Sequence, residues 1–517
     1  MSKIKRLLTI FLMFFLVSFL FSCEIVFNNT NQPSGNTPSG DDTEDYENLR
    51  PSGGSTNLYI YAVNDFHGIV YKEGESVGLS RLFGYLRTQK EKNPNNTVIL
   101  SSGDMFQGSG ISSMSRGKIV LDAMNYVGFD AMAIGNHEFD WGLEEVTKYV
   151  DGSLENGEAT FPILGANVLK VSDGKIADLL QPYVVIKRAG LNIGVIGLIG
   201  KGEESDILTS YVKDYVFTDE LTAIKKYAKI LREDEKCDIV IVSAHVDTSD
   251  INRSIANLTG SEKVDAVLNG HTHQSYYSEE SRNDKSTPMP VVQSGCYGRF
   301  VGLIVLTYDF DKNEVTKSSV INQRAESVCT KEDPNINKLF DDYRDLVEIT
   351  SEELGVSGVT LYQNVGGYFC SDSLVEKFDV DLGVCNRGGI RGSGFPIYRD
   401  DVITYGDVFE IMPFENMVVI VELKGEVIIN RIFSGASNFY FISTNVDVSN
   451  RTINGVKIDL NKTYRIATID YLYEKTNQPF MYSTYLEKTN ILFRDVIAEG
   501  IKNNVKANGT FKYNHYE

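Results

Sequence analysis

The chain of 517 residues is longer than one hydrophobic core supports, and it carries a formal net charge of −20. Chains of this length divide into domains, and we expect roughly two to four of them. The negative charge argues against nonspecific binding of nucleic-acid polymers through a basic surface. It also means that a site for an anionic phosphate needs local positive charge, from arginine or from metal ions.

The N-terminus has the features of a secretory signal peptide. A basic start over residues 3–6 precedes an apolar run over residues 7–21, which is short for a membrane span but matches a signal core. The run ends in Leu20-Phe21-Ser22-Cys23, which resembles the bacterial lipobox. The resemblance implies lipidation of Cys23 and an exported protein, anchored by lipid to a bacterial membrane on its periplasmic or cell-surface face. A plain cleaved signal with a chance cysteine is the alternative.

Short apolar runs alternate with helical stretches after a polar, flexible tether that ends at residue 56. The runs predicted as strands cover residues 58–63, 97–100, 131–134, 192–199, 238–242 and 264–268. Helices are predicted over residues 79–92, 117–127 and 219–234. Fully apolar strands alternating with helices predict an α/β sandwich with covered sheets. A helix over residues 334–354 is expected to lead to a second domain, with strands at 382–385, 418–423 and 464–469.

Five of the six histidines stand in four motifs, and each motif follows an apolar run. The motifs are Asn64-Asp65-Phe66-His67-Gly68, Gly135-Asn136-His137-Glu138-Phe139-Asp140, Ala244-His245-Val246-Asp247 and Gly270-His271-Thr272-His273. Gly103-Asp104 has the same context, and His515 stands outside the motifs. Ligands in α/β sheets gather beyond the carboxyl ends of strands, and histidine is the usual metal ligand among side chains. The pattern predicts one site that holds two metal ions.

The spacing within the motifs suits metal ligation. In Asp65-x-His67, residues two apart on an extended segment point to the same side and can share one cation. The same holds for His271-x-His273, and Asp104 is suited to bridge two cations with its two oxygens. The predicted ligands are Asp65, His67, Asp104, Asn136, His245, His271 and His273. Nitrogen and oxygen ligands without thiolate suit manganese, iron, zinc or cobalt. Any one of these residues, taken alone, more often has a structural role than a metal-binding one. Their joint occurrence in this order predicts the metal site.

His137 adjoins a predicted ligand without being one. Adjacent residues on an extended segment point apart, so we expect His137 to face the substrate. Asp140, three residues later, can accept a hydrogen bond from its ring and hold its tautomer and charge. The pair is therefore predicted to stabilise developing charge and to assist the leaving oxygen.

The ordered motifs resemble the signature of the calcineurin-like metallophosphoesterases, over about residues 57–325. Glu138-Phe139-Asp140-Trp141-Gly142 narrows the resemblance to the 5′-nucleotidase family. That family resemblance implies a four-layer α/β/β/α sandwich followed by a smaller α/β C-terminal domain. It implies one cation held by Asp65, His67, Asp104 and His273, and a second held by Asp104, Asn136, His245 and His271. It also implies that His137 and Asp140 form the catalytic dyad.

Two later segments are similar to the C-terminal domain of the same family. Asn386-Arg387-Gly388-Gly389-Ile390-Arg391 resembles its Asn-Gly-Gly-x-Ile-Arg segment, in which an amide and a guanidinium fork can bind phosphate or carboxylate. Met412-Pro413-Phe414-Glu415-Asn416 resembles the segment whose Phe stacks on the nucleobase. The predicted substrate-binding residues are Asn386, Arg387, Arg391, Phe414, Asn416 and Tyr471. Without the resemblance, a core Phe414 and a surface ion pair of Arg391 would be equally reasonable.

The second half departs from the family pattern in two places. The Arg expected shortly before an Asn-x-Gly-Asn-Leu segment is missing around Gln363-Asn364-Val365-Gly366-Gly367. A Gly-Gly-Asp-Gly segment, whose Asp would bind ribose hydroxyls, is also missing, and Asn477 or Gln478 stands near its place. An arginine that would bind phosphate and an aspartate that would contact the ribose are therefore both missing from the expected positions.

The resemblance implies an exported phosphohydrolase in which hydroxide held by two divalent ions, Mn, Zn, Co or Fe, attacks a nucleotide phosphate. The predicted parts are a signal peptide at 1–22, a lipidated cysteine and tether at 23–56, a metallophosphoesterase domain at 57–327, a linker helix at 328–354 and a C-terminal substrate-recognition domain at 355–517. The linker would act as a hinge for a rotation of the second domain.

Other functions share parts of this pattern. A 2′,3′-cyclic-nucleotide phosphodiesterase with 3′-nucleotidase activity and a UDP-sugar hydrolase carry the same motifs. A surface lipoprotein that acts as a binder or adhesin would show decayed metal ligands, and the complete set argues against it. A solute-binding lipoprotein would need neither two metals nor a catalytic histidine.

Five cysteines follow Cys23, and they do not form a disulfide framework because their number is odd and their spacing wide. They are Cys237, Cys296, Cys329, Cys370 and Cys385. We expect buried, small apolar side chains there, although one pair could be bridged in an exported protein.

Overall fold

The structure, a computed structural model, describes residues 50–514 apart from residues 73, 247–248 and 476–477, and only the backbone of Asn156 and Ser249. The signal peptide, Cys23 and most of the tether lie outside these residues. Within the described part of the chain, no helix is both long and apolar enough to span a membrane.

The first sheet has six strands and an alternating pattern of buried side chains. Its strands, in spatial order, are Glu314–Arg324, Phe300–Asp309, Ser55–Val63, Thr97–Ser101, Ala131–Ala133 and Ile163–Leu164. Leu58, Ile60 and Ala62 of the central strand face a second sheet, whereas Tyr61 and Val63 face helices. Because side chains alternate along a strand, a strand covered on both faces is apolar throughout.

The second sheet packs face to face on the first. Its strands, in spatial order, are Ser275–Glu280, Met289–Ser294, Ala266–Asn269, Ile239–His245, Leu191–Ile199 and Tyr183–Arg188. Ile193, Ile241 and Leu268 meet the apolar residues of the first sheet in a shared core. Antiparallel Val168–Lys170 and Tyr215–Phe217 form a separate small pair.

Helices cover the outer face of each sheet. The longer helices over the first sheet are Gly78–Lys92 and Lys118–Val127, and those over the second are Glu220–Glu233 and Ser249–Ala256. Shorter helical segments are Gly110–Met114, Asn136–Phe139, Glu144–Thr147, Lys148–Val150, Leu154–Asn156, Glu203–Asp206, Thr209–Val212, Gly260–Glu262 and Ala325–Val328. The predicted α/β/β/α sandwich is therefore confirmed.

The two sheets bring their parallel strands to one edge. Ser55–Val63, Thr97–Ser101 and Ala131–Ala133 run parallel in the first sheet. Leu191–Ile199, Ile239–His245 and Ala266–Asn269 run parallel in the second. The carboxyl ends of these strands carry every predicted metal-site motif, which places the motifs together beyond one edge of the sandwich.

The segment predicted as one helix over residues 334–354 consists of several pieces. It contains the helix Pro334–Leu339, the 3₁₀ turn Phe340–Tyr343 and the helix Arg344–Thr350, and the strand Glu353–Val356 then begins. Ile336 is buried, and the apolar side chains after it pack against the core of the first domain. The helix ends before Leu354 because Glu353–Val356 pairs with Val402–Thr404.

A second α/β domain with its own core follows this segment. Its main sheet consists of Tyr440–Ile442, Leu382–Asn386, Thr463–Ile469, Met417–Lys424 and Leu486–Leu492, in spatial order. Its helical segments are Gln363–Lys377, Arg387–Gly389, Gly392–Gly394, Tyr405–Ile411, Gly425–Val427, Ile428–Ile432, Phe433–Gly435, Asp470–Glu474, Pro479–Tyr482 and Phe493–Asn508. Val446–Asp447, Thr452–Ile453 and Val456–Lys457 form a small sheet.

The five cysteines after Cys23 are free and buried. Burial raises the pKa of the thiols, to about 12 for Cys237, Cys329 and Cys385. These side chains therefore act as small apolar residues, as the sequence predicts.

Candidate metal centre and substrate cavity

Three predicted ligands meet where the first and second sheets end. His67 Nε2 lies 3.0 Å from His273 Nε2, and Asp65 Oδ1 lies 3.5 Å from the same nitrogen. Asp65 and His67 are almost fully buried, whereas His273 is partly exposed toward a cavity. Two imidazoles and a carboxylate at these separations can hold one divalent cation.

A second group of predicted ligands surrounds the side-chain oxygen of Asn136. His245 Nε2 lies 3.0 Å and His271 Nδ1 lies 3.1 Å from Asn136 Oδ1. Asp104 Oδ2 lies 3.1 Å from His245 Nε2. The ligand atoms of Asp104, His245 and Asp65 also lie within 4.8 Å of one another. Asp104 therefore stands between the two groups, where a carboxylate can be shared.

The backbone that carries these ligands is not extended, which corrects one part of the sequence argument. Asp65, His67, Asp104, His271 and His273 all have positive φ, between 49° and 76°. The side chains converge because tight, left-handed turns aim them, and not because residues two apart on a strand share a face. Asn and Asp tolerate such conformations better than most residues, and strain of this kind is concentrated at functional sites.

Gly103 allows the turns to pack this closely. Its φ is +89°, and a Cβ atom there would lie 2.7 Å from the Gly135 nitrogen and 2.8 Å from His245 Nδ1. A side chain at this position would push apart the two groups of ligands.

Backbone carbonyls fix the orientation of two imidazoles. His67 Nδ1 donates to the Gln107 carbonyl at 3.0 Å, and His245 Nδ1 donates to the Ser102 carbonyl at 2.8 Å. Each bond holds the proton on Nδ1 and turns Nε2 toward the centre. Histidine ligands of metals are commonly oriented by such hydrogen bonds.

The charges of the centre suit divalent cations. Burial raises the pKa of Asp65 to about 7, and burial lowers the pKa of His273 to about 3. Burial alone would lower the pKa of His245, but the Asp104 carboxylate outweighs it and raises that pKa well above its usual value. The proton on His245 thus neutralises Asp104, and a divalent cation would displace it. The donor set fits divalent cations, with nitrogen and oxygen atoms and no thiolate.

Glu138 holds the loops of the centre without facing it. Its carboxylate accepts from the backbone nitrogens of Asp104, Met105 and Gly135 at 2.8–2.9 Å. Burial raises the pKa of Glu138 to about 7, whereas these backbone hydrogen bonds favour its charged form. Glu138 therefore ties the turn at Asp104 to the turn that carries Asn136.

His137 forms the predicted pair with Asp140, although not on an extended segment. Residues 136–139 form a 3₁₀ helix, and this turn brings His137 Nδ1 to 2.7 Å from Asp140 Oδ2. Burial alone would lower the pKa of His137, but the carboxylates of Asp140 and Asp104 outweigh it and raise that pKa above its usual value. The backbone nitrogen of His137 also donates to Asp104 Oδ1 at 2.9 Å.

A cavity of about 380 Å³ joins the metal centre to the second domain. From the first domain, Asp104, Asn136, His137, Asp140, His271 and His273 line it. From the second domain, Asn386, Arg391, Phe414, Asn416 and Tyr471 line it, all of them predicted substrate-binding residues. The rings of Phe414 and His137 lie 5.6 Å apart between centroids. The second domain therefore covers the metal centre and the histidine pair.

Arg387 is the predicted substrate-binding residue that the structure does not bring to the cavity. Its guanidinium lies over the ring of Phe441, 4.2 Å from the centroid, and donates to the Ala436 carbonyl. Arg391, four residues later, faces the cavity and contributes to the low pKa of His273. The 3₁₀ turn Arg387–Gly389 begins at the first of the two arginines and ends two residues before the second.

Comparison with known proteins agrees with this architecture. Residues 58–275 match the family model for calcineurin-like phosphoesterases, and residues 355–483 match the model for the C-terminal domain of 5′-nucleotidases. The chain belongs to the 5′-nucleotidase family of calcineurin-like metallophosphoesterases.

Individual relatives cover most of this chain. A 5′-nucleotidase of Vibrio cholerae is 26% identical over 79% of this chain and 83% of its own length. The endonuclease YhcR of Bacillus subtilis is 26% identical over 82% of this chain, but the chain spans only 37% of that relative. A 5′-nucleotidase precursor from Thermus thermophilus shares the fold, with a TM-score of 0.73, 21% identity and coverage of 89% of this chain and 98% of that structure.

The structure shows what surrounds two residues at the places where the sequence departs from the family pattern. Gln363 begins the helix Gln363–Lys377 and donates to the Ile390 carbonyl at 2.8 Å, under the loop that carries Arg391. Gln478 accepts a hydrogen bond from the Tyr440 hydroxyl. Asn477 lies outside the described residues.

Glu203 and Asp206 are residues near the centre that the motifs did not reveal. Glu203 Oε2 lies 3.8 Å from His271 Nδ1, and Asp206 Oδ2 lies 3.8 Å from His271 Nε2. Both follow the strand Leu191–Ile199, which carries no histidine motif. Their position directly after a strand could have revealed them. The other parallel strands at this edge of the sandwich carry predicted ligands at the same position.

The sequence motifs also did not predict the contacts between the two domains. Arg116 Nη1 lies 2.7 Å from Glu415 Oε1, beside Phe414. Lys475 donates to the carbonyls of Ser205 and Ile207. Both contacts join the two domains beside residues that line the cavity.

Proposed function

We propose that this protein is an exported phosphohydrolase that uses two divalent cations to hydrolyse nucleotides or closely related phosphate esters. The observation that carries the proposal is a single cavity. Four predicted ligands (Asp104, Asn136, His271 and His273) and the His137–Asp140 pair face it from one domain, and an arginine and aromatic rings face it from the other. The other three, Asp65, His67 and His245, are buried within 3.5 Å of one of these four.

Asp65, His67, Asp104 and His273 would hold one cation, and Asp104, Asn136, His245 and His271 the other. When bound, the cations polarise a phosphoryl oxygen and lower the pKa of water, which supplies the nucleophile. The ligands come from the ends of five strands, so the sandwich fixes their positions before substrate arrives. Such prior order limits the reorganisation that the reaction requires.

His137 would act on the leaving group. Asp140 holds the ring through Nδ1, which leaves Nε2 free to donate a proton to the ester oxygen. The carboxylates of Asp140 and Asp104 raise the pKa of His137, which favours the protonated ring, and its positive charge would stabilise charge on the phosphoryl oxygens.

The second domain would recognise the leaving group. Phe414 and Tyr471 offer aromatic faces to the cavity, and Asn416 is fixed by a bond from its Nδ2 to Asp470 Oδ1 at 2.9 Å. Arg391 supplies the positive charge that an anionic substrate needs in a chain of net charge −20. Aromatic rings of this kind stack on any nucleobase. The Asn416 side-chain amide would then orient the base.

The substrate is the first point to test. We would identify the products that the purified protein forms from AMP, 3′-AMP, 2′,3′-cyclic AMP, UDP-glucose and an aryl phosphate, with manganese, cobalt or zinc. Free phosphate reports on the monoesters, whereas the first cleavage of 2′,3′-cyclic AMP or UDP-glucose yields phosphate monoesters. Metal-dependent release from AMP supports a 5′-nucleotidase. Preference for 2′,3′-cyclic AMP would indicate a cyclic-nucleotide phosphodiesterase instead, and preference for UDP-glucose would indicate a UDP-sugar hydrolase. Folded, metal-loaded protein that hydrolyses none of them would contradict the proposal and favour a binding lipoprotein.

We propose that Cys23, outside the described residues, is lipidated and anchors the protein to a bacterial membrane. An acyl anchor carrying several chains keeps a protein on the membrane. Cells fed an alkyne analogue of palmitate should label the wild-type protein and the buried-cysteine control Cys237→Ala, but not Cys23→Ala. Label retained by Cys23→Ala would refute the anchor.

A further inference from the structure

The segment that follows the strand Leu191–Ile199 contains a buried carboxylate that the proposed metal sites do not use. Glu203 begins the 3₁₀ helix Glu203–Asp206 and is only 7% exposed. Among the described residues, no hydrogen-bond partner reaches its Oε2 atom. A buried carboxylate oxygen without a partner destabilises the folded protein. We therefore expect a ligand, such as a cation, to bind Oε2.

The unpartnered oxygen lies beside the second group of metal ligands. Glu203 Oε2 is 3.8 Å from His271 Nδ1, and the ligand atoms of Glu203, His245 and His271 all lie within 4.8 Å of one another. Ligand atoms bound at 2.0–2.1 Å around one octahedral ion are about 3 Å apart when adjacent and about 4.2 Å apart when opposite. The separation of 3.8 Å lies between these two values, so one cation could reach both atoms after a small adjustment.

The Glu203 carboxylate is also held in place. A Cβ atom on Gly200 would lie 2.0 Å from Glu203 Oε1, so the carboxylate rests directly on the Gly200 backbone. The Gly200 nitrogen in turn donates to the His245 carbonyl at 2.8 Å. Glu203 and His245 are thus fixed to one piece of backbone, as ligands of a prepared site would be.

We propose that Glu203 is a further ligand of the second cation, which it binds through Oε2 together with Asn136, His245 and His271. This inference rests on the metal site of the proposed function but not on the identity of its substrate. A second carboxylate beside Asp104 makes this position more anionic and richer in oxygen. It therefore shifts the preference of the site toward manganese over softer cations.

Metal binding by the full-length protein tests the assignment. We would remove metal by dialysis against chelator, titrate wild-type protein and Glu203→Gln with Mn²⁺, and count bound ions by mass spectrometry. Glu203→Gln should bind the second equivalent about 10-fold or more weakly. Gly200→Ala should do the same, because the added methyl group displaces the carboxylate without removing it.

Asp206→Asn is the matched control. Asp206 lies in the same turn and 3.8 Å from His271, but its contact is with Nε2 instead of the ligand nitrogen, and its side chain is 52% exposed. Its loss removes the same charge and should leave both ions bound. A general electrostatic effect would weaken binding in both variants and would overturn the assignment.

Two further readouts separate a ligand from a structural residue. The visible absorption of the Co²⁺ protein should change in Glu203→Gln, because the coordination of one ion changes. The melting temperature without metal should not fall, since no hydrogen bond to Oε2 is lost. If wild-type protein binds two ions and Glu203→Gln binds them equally tightly, the assignment is wrong. If wild-type protein binds none, the proposed function fails as well.

Discussion

At the scale of single residues, the pairing of His137 with Asp140 distinguishes a catalytic centre from a metal store. Nδ1 of His137 is bound by Asp140 at 2.7 Å, and the ring lines the same cavity as four of the predicted ligands. Neither residue is needed to hold a cation. Their arrangement therefore fits the proposed role of His137 as a proton donor to the substrate.

Substitution of His137 should separate chemistry from metal binding. We expect His137→Ala to lower kcat by about 100-fold or more, the usual contribution of general acid catalysis, with both metal ions retained. Phosphate release and metal analysis on the same sample provide the measurement. Unchanged turnover in the metal-loaded variant would remove His137 from the mechanism.

Arg391 and Arg387 offer a matched comparison within one motif. Arg391 faces the cavity, whereas Arg387 packs over Phe441. Lysine keeps the charge but loses the planar fork, so Arg391→Lys should lower kcat/KM by about 10-fold or more. Arg387→Lys should change it by no more than about twofold. Steady-state kinetics of both variants decide the matter, and equal losses would show that the fork at Arg391 has no special role.

The structure brings the predicted ligands together as a group, but the geometric reason given for their convergence was partly wrong. Strand ends brought Asp65, His67 and His271 together, whereas an extended backbone did not. A left-handed turn cannot be read from Asp-x-His spacing. Glu203 was not predicted because a single glutamate after a strand has no neighbouring histidine to mark it. Arg387 was predicted to bind substrate, but its guanidinium packs over Phe441 and does not line the cavity.

At the scale of elements, two short helical segments from different domains meet at the cavity. Asp470–Glu474 carries Tyr471, and Glu203–Asp206 carries the carboxylate near His271. Lys475 and Tyr471 both donate to the Ser205 carbonyl. The position of the second domain is thereby linked to the segment that borders the metal centre.

Loss of this contact should favour a more open arrangement. Lys475→Met keeps the apolar stem but removes the hydrogen bonds to the carbonyls of Ser205 and Ile207. We expect a longer average distance between spin labels on the two domains, and a higher KM. Lys462→Met, within the second domain, is the control. Distances identical to wild type would show that these bonds do not hold the domains together.

The elements themselves were predictable because their apolar runs are long and bounded. Strands such as Leu191–Ile199 and Ile239–His245 and the helix Gly78–Lys92 lie within a few residues of their predicted limits. The contacts of Lys475 and Arg116 were not predictable. They depend on how two separately folded cores meet, and no local pattern encodes that placement.

At the scale of the whole molecule, the metal centre should contribute to stability as well as to catalysis. The charges of Asp65, Asp104 and Glu138 are buried close together, and burial raises the pKa of Asp65 and Glu138 to about 7. Cations bound only by the folded state stabilise it, by about 2.7 kcal/mol for each site at 100 times its dissociation constant.

Removal of metal should therefore lower the melting temperature of the first domain. Calorimetry of the chelated protein should show that transition at a lower temperature, and added manganese should restore it. The transition of the second domain should stay unchanged, since its core contains no ligand. An identical thermogram with and without chelator would argue that no cation binds the native state.

The count of two cations is the central claim, and a titration of activity tests it most directly. Metal-free protein would receive Mn²⁺ in fractions of an equivalent, and phosphate release from its best substrate would be recorded at each step. We predict that activity stays low through the first equivalent and rises to its full value as the second one binds. Full activity at one equivalent, or none at two, would contradict a mechanism in which both groups of ligands act together.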